Sequence, residues 1–324
     1  MPPEGGYPQG RSDGRLPLTV LGGFLGAGKS TWLRHQLHAG HYRDRHILVN
    51  EAALTPVDNL LLHDAARVEV LAGGCACCEG LPALIAALRR ICDAATGNRA
   101  GAVAGVLLET SGLADPGAIA AALAADQVLA RRLVLTETVV LVDALHGAAQ
   151  LGAEPLARAQ AEAADRIVIT KPVPAGAGAV ARLAATLRLL NPAAAISAAE
   201  QGVPFALPSV AAEPLPLPAL ADAAPILPYR LQVGAEGGWI ALSTWLSALL
   251  QARGDDVVRV KGVVRAPAGR LLLQSVRRVV QPPEILPEDD ATLAGPPPEE
   301  GVLVLIGRNI DEELLRRSWD RFGA

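Results

Sequence analysis

The sequence predicts an α/β protein: a three-layer α/β/α domain with a mainly parallel sheet, then a smaller α+β domain. Three observations carry this. From Leu16 to about residue 200, short apolar runs alternate with stretches of helical periodicity, the pattern of parallel strands joined by crossover helices. Directly after the first apolar run stands Gly23-Phe-Leu-Gly26-Ala27-Gly28-Lys29-Ser30, a glycine-rich loop between strand and helix. Past a Pro- and Ala-rich stretch at 203–228 the alternation stops, and short strands with two helices follow.

Taken in order, residues 16–21, 46–50, 103–109, 134–143, 166–170 and 195–197 read as strands of the first domain. Residues 81–92, 116–125, 157–164 and 177–190 read as its helices. The domain spans 16–202, residues 203–228 read as a linker, and 229–324 form the second domain. There, 228–234, 257–264, 270–280 and 302–307 are strand expectations and 239–251 and 311–322 helices, with a Pro- and acid-rich loop at 291–300. Trp239, Trp245 and Trp319 sit at helical positions and read as core.

Composition excludes several function classes. The 324 residues are 51% hydrophobic but only 3% aromatic, so Ala, Val and Leu must fill the interior. Against 33 acidic residues stand 29 basic ones, which gives no electrostatic case for a nucleic-acid partner. No apolar run approaches the roughly 18 residues of a membrane span, so no membrane partner is expected. Residues 1–15 lack the apolar core of a signal peptide and read as a disordered tail. Of four cysteines three are clustered, which points to metal or redox chemistry in a reducing cytoplasm rather than a disulfide framework.

The loop at 23–30, followed by Thr31, matches G-x4-G-K-[ST], and its flanking strand and helix supply the context a phosphate-binding P-loop requires. Its backbone amides and the helix N-terminus can cradle phosphate. Lys29 would reach the β- and γ-phosphates, and the Ser30 hydroxyl would sit on Mg²⁺. The residues predict binding of a nucleoside triphosphate.

A second constellation is Gly73-Gly-Cys75-Ala-Cys77-Cys78-Glu-Gly80. Thiolates suit Zn²⁺ or another thiophilic ion, and flanking glycines let a short loop fold its sulfurs around one centre. Adjacent Cys77 and Cys78 point differently, so two of the three thiols are expected on one ion, with a further ligand from elsewhere. Disulfide redox chemistry is the competing reading. Cys92 lies in the apolar register of the next helix and reads as core. His35, His38 and His41 are spaced by three and could form a weak metal-collecting face, or be ordinary surface histidines.

The strand at 103–109 ends in Glu109-Thr-Ser-Gly112-Leu-Ala-Asp115-Pro116. In a P-loop protein a carboxylate there lies near Mg²⁺ and the Gly112 amide senses the γ-phosphate, so hydrolysis releases the loop. The plainer alternative is a capped turn. The strand at 166–170 ends in Thr170-Lys171-Pro172-Val173, where guanine-binding P-loop proteins read [NT]-K-x-D. Val173 holds the Asp position, which leaves GTP against ATP open.

P-loop, CxCC, E-T-S-G-L-A-D-P and T-K occur in this order and together resemble the CobW-type GTPases, relatives of the urease and hydrogenase maturation GTPases. The resemblance runs over nearly the whole chain, with Asn50-Glu51, Arg259-Val-Lys261-Gly262 and Gln274-Ser-Val-Arg-Arg among the matching stretches. It implies a GTP-dependent metallochaperone with a CobW-like C-terminal domain, carrying Zn²⁺ or Co²⁺ at Cys75, Cys77 and Cys78 to an unidentified client protein. Glu51 falls on a switch acid near that metal or Mg²⁺. Ala52-Ala53 replace the family's Phe-Gly after it, and a histidine-rich tract is missing. Since neither an arginine finger nor a catalytic Gln is identifiable, hydrolysis is expected to be slow and stimulated by a partner or by homodimerisation. Two other classes remain: a catalytically weak, nucleotide-binding metal sensor, and a small-molecule P-loop kinase, whose acceptor lid has no counterpart in the sequence.

Overall fold

Runs such as Val-Leu-Leu before Glu109 and Ile-Val-Ile before Thr170 are too short for helices and too uniformly apolar for a sheet wet on one side. Such runs belong inside a parallel sheet covered on both faces. The computed structural model describes residues 14–50, 68–71, 80–96, 103–217, 227–234 and 238–322, apart from 255, 277, 281, 287 and 289–298. They fall into two compact units, one holding Leu16–Leu129 and residues 135–217, the other residues 14–15, 130–134 and 227–322.

From Leu16 the chain runs through β1 (Leu16–Gly23), α1 (Lys29–His38), β2 (Arg45–Asn50), β3 (Val68–Leu71), α2 (Leu81–Thr96), β4 (Gly105–Glu109), α3 (Pro116–Ala125) and α4 (Leu129–Arg132). It continues through β5 (Leu133–Asp143), α5 (Gly147–Ala153), α6 (Pro155–Ala163), β6 (Arg166–Thr170), α7 (Pro172–Ala175), α8 (Ala177–Leu190), β7 (Ala195–Glu200) and β8 (Val203–Phe205). Sheet order is β3-β2-β4-β1-β5-β6-β7-β8, with β1 against β4, β2 against β3 and β4, and β6 against β5 and β7 all parallel.

Strand alternation assigns the layers. Ile167 and Ile169 point into a core with Ala157 and Ala161 of α6 and Val180, Leu183 and Leu187 of α8. Arg166, of opposite parity, places its guanidinium 5.7 Å from the Trp32 ring centroid of α1. So α1 covers one face and α6 and α8 the other, as right-handed crossovers in opposite directions along the sheet require.

The stretch read as a linker differs from expectation. β8 pairs antiparallel with β7, Leu207 and Leu217 pack against the α6/α8 core, and the Leu215 amide donates to Thr186 Oγ1 at 2.9 Å. Proline denies this strip a periodic signature, yet its spaced apolar residues still bury against the first unit. β3 also escaped the sequence reading, because four residues with a central Glu69 carry too little pattern.

The second unit holds β9 (Leu227–Gln232), α9 (Trp239–Arg253), β10 (Val257–Ala266), β11 (Gly269–Val276), β12 (Val279–Val280), β13 (Glu284–Leu286), β14 (Val302–Gly307) and α10 (Glu312–Phe322). Its sheet order is β12-β11-β10-β14-β9, antiparallel throughout, with β13 also on β11. The single strand expected at 270–280 is a hairpin, Val276 opposite Val279. Trp245 and Trp319 meet edge to face with centroids 5.6 Å apart, and Trp245 Nε1 donates to Ser318 Oγ at 3.0 Å. Trp239 is partly buried against the same core.

Candidate functional site

In an open parallel sheet, ligands bind beyond the carboxyl ends of the strands, where the strand order reverses. β1 occupies that place, between β4 and β5. Its chain turns through residues 24–28 into α1, and Gly28 caps that helix with φ 85°, a left-handed conformation that costs a Cβ-bearing residue about 1–2 kcal/mol. The first turn of α1 has neither a side-chain cap nor an acidic residue, so its amides and positive dipole end are left for an anion.

Four side chains brace this loop. Lys29 Nζ donates to Gly23 O at 2.9 Å. Ser30 Oγ donates to Glu109 Oε1 at 2.7 Å, with Glu109 buried at the end of β4. Thr170 Oγ1, at the end of β6, donates to Ala27 O at 2.9 Å. Lys171, itself left-handed at φ 54°, donates through Nζ to Gly26 O at 2.9 Å and to Asp143 Oδ2 at 2.6 Å. Thr31 lies on the exposed side, its Oγ1 3.5 Å from Arg34 Nη2. Lys29, Ser30, Glu109, Ala27, Thr170 and Lys171 therefore converge. A hydroxyl beside a buried carboxylate is a hard oxygen pair, the donor chemistry that Mg²⁺ takes.

Asp143 is a residue the sequence reading missed. It ends β5 as Glu109 ends β4, so an acid closing an apolar strand was the available signal. Burial would raise its pKa. Hydrogen bonds from Lys171, His146 and the Leu145 amide, with the Lys171 charge, outweigh that and hold the carboxyl below its ordinary range. It is therefore an anion at neutral pH, tying Lys171 to the loop.

Gly112 approaches the loop from β4's side. A Cβ there would lie 2.8 Å from both Leu25 Cα and Leu25 N. Gln160 of α6, 1% exposed, donates to Gly112 O at 3.2 Å and Ala114 O at 2.8 Å, fixing the turn after Glu109. Gly112→Ala is expected to cost about 1–3 kcal/mol by overpacking and to weaken triphosphate binding more than diphosphate binding. Urea melts and paired titrations with GDP and a non-hydrolysable GTP analogue check it. An equal loss for both would show that Gly112 only packs.

Glu51 and the cysteines Cys75, Cys77 and Cys78 lie outside the described residues. Their flanks are described: Asn50 ends β2 and Leu71 ends β3, paired in register, while β2 also runs beside β4 with Val49 opposite Glu109. Asn50 and Leu71 thus end their strands at the same edge of the sheet at which Glu109 ends β4. Cys92 is buried, as expected for core. The histidine face is not formed. His35 packs against Gly202, His41 lies beyond the end of α1, and among the described residues no three His, Cys, Asp or Glu side chains are placed to hold a metal.

Residues 17–198, over half of the chain, match the model of the CobW/HypB/UreG nucleotide-binding domain. The chain belongs to this family. Residues 236–323 match the cobalamin synthesis protein CobW C-terminal domain, so the second unit carries the family's own appendage. Among CobW relatives, the zinc chaperone YjiA of Escherichia coli is 37% identical over 163 residues, covering 50% of this chain and 51% of that one. The zinc chaperone CobW of Pseudomonas aeruginosa is 36% identical over 112 residues, covering 32% of this chain and 28% of its own. The chain spans about half or less of the length of these curated relatives. A crystal structure of Zn(II)-bound YjiA GTPase from E. coli shares the fold, with a TM-score of 0.54 at 23% identity, covering 95% of this chain and 99% of that one. No helix among the described residues is long and apolar enough to cross a membrane.

Proposed function

We propose that the protein is a GTP-hydrolysing metallochaperone that binds a thiophilic divalent ion, zinc before cobalt, at Cys75, Cys77 and Cys78 with Glu51, and passes it to a client metalloprotein. The observation that carries the nucleotide half is the braced loop: Ser30 on Glu109, Thr170 on Ala27 and Lys171 on Gly26, around the uncapped first turn of α1. Ser30 and Glu109 would hold Mg²⁺, directly or through water, and the ion would neutralise charge on the β- and γ-phosphates. Gly23, Gly26, Ala27, Gly28, Lys29, Ser30 and Thr31 cradle the phosphates. Gly112 senses the terminal one, and Thr170 and Lys171 close the loop from the base side.

The metal half rests on three thiols within four residues, in a family with members named zinc chaperones. Magnitudes set how the halves work together. Thiolate-rich zinc sites are worth roughly 10–16 kcal/mol, whereas coupling between sites supplies about 1–3. Hydrolysis alone therefore leaves the metal bound. The nucleotide controls when the sulfurs are reachable, and ligand exchange with the client, in the cytoplasm, removes the ion.

Phosphate release from GTP and from ATP, with Mg²⁺ and zinc present, tests the enzymatic part. Turnover of GTP is expected near the unassisted range of about 10⁻⁴–10⁻² s⁻¹, with ATP slower. Release no faster than in protein-free buffer contradicts hydrolysis.

A further inference from the structure

The guanine-reading segment of this chain has lost its acid, for Val173 stands where an aspartate would accept from the base. Val173 is 61% exposed and offers its side chain no hydrogen bond. A carboxylate nevertheless lies against it. Glu200, the last residue of β7, accepts from the Val173 N–H through Oε2 at 3.1 Å. β7 runs in register with β6, Thr170 opposite Ala199, so Glu200 leaves the sheet one position beyond the threonine that braces the loop. Its backbone comes from a different strand, while its carboxylate reaches the segment that lacks one.

We propose that Glu200 is the specificity-determining acid of the nucleotide site and that it selects guanine; this rests on the GTP reading above. The chemistry discriminates in both directions. The guanine edge presents N1–H and N2–H side by side, which a carboxylate accepts through both oxygens. Adenine presents a bare N1 acceptor there, which a carboxylate repels. The Val173 amide occupies one lone pair of Oε2, fixing the head group while Oε1 and the remaining lone pair of Oε2 stay available. Glutamate's extra methylene supplies the reach an aspartate on β7 would lack.

The test measures the affinity of the full-length chain for GDP, IDP and ADP in three forms: wild type, Glu200→Gln, and Glu200→Gln combined with Val173→Asp. Wild type is expected to hold GDP at least about tenfold tighter than IDP, which lacks the 2-amino donor, and tighter still than ADP. Glu200→Gln should weaken GDP by about tenfold or more and tighten ADP, since the charge that repels adenine N1 is gone and the new amide can donate to it, and adding Val173→Asp should restore GDP. If wild type prefers GDP and Glu200→Gln keeps that preference, Glu200 is not the acid and the GTP reading stands. An equal loss for GDP and ADP makes Glu200 structural and overturns the proposal. A wild type without guanine preference overturns this proposal and the GTP reading together.

Discussion

Replacing Lys29 by alanine is expected to lower GTP hydrolysis by about 10²–10³-fold, the scale on which one preorganised donor to a developing negative charge is lost. The ammonium lies at the mouth of the loop, bonded to Gly23 O at 2.9 Å, a neutral carbonyl it exchanges readily for phosphate oxygens. Alanine keeps the helix, since Lys29 opens α1 and alanine favours that conformation. The Ser30–Glu109 and Thr170–Ala27 contacts involve other atoms and should persist. Melting temperature should therefore stay near wild type while turnover falls. Phosphate release at saturating GTP, alongside a thermal melt, separates the two. Near-normal turnover in a folded variant would remove Lys29 from the site.

The second large effect concerns the thiols. Changing Cys75, Cys77 and Cys78 to serine together should weaken Zn²⁺ binding by about a thousandfold or more, because a serine hydroxyl neither ionises at neutral pH nor offers a soft donor. A thousandfold is about 4 kcal/mol, within the roughly 10–16 kcal/mol available to thiolate zinc sites. Nucleotide affinity without metal should survive, since Lys29, Ser30 and Glu109 are untouched. Chelator competition for zinc, with GDP affinity as control, measures both. Retained zinc affinity would place the principal site on other residues.

The first domain was legible because its central strands are buried, so runs such as those before Glu109 and Thr170 carry the signal without alternation. The glycine-rich loop was legible through its flanks as much as its own letters. What escaped has physical reasons. Asp143 and Gln160 act through tertiary contacts, with Lys171 and with the carbonyls after Gly112, that no local spacing encodes. The strip at 203–217 contains prolines and no period, so its packing against the first unit could not be told from a linker. The three histidines show the opposite case, since spacing by three allowed a shared face that the end of α1 at His38 breaks before His41. Val173 stands out in the sequence, but the carboxylate that accepts from its amide comes from 27 residues further along the chain.

The central claim is that nucleotide state governs access to the metal. Its most direct test is Zn²⁺ affinity by chelator competition in three states: with Mg²⁺ and a non-hydrolysable GTP analogue, with Mg²⁺ and GDP, and without nucleotide. Coupling of about 1–3 kcal/mol predicts that the GTP analogue shifts zinc affinity roughly 5- to 150-fold relative to GDP. By reciprocity zinc should shift affinity for the analogue by the same factor. Identical zinc affinities in all three states would mean that the two sites ignore each other, and the metallochaperone account would be wrong.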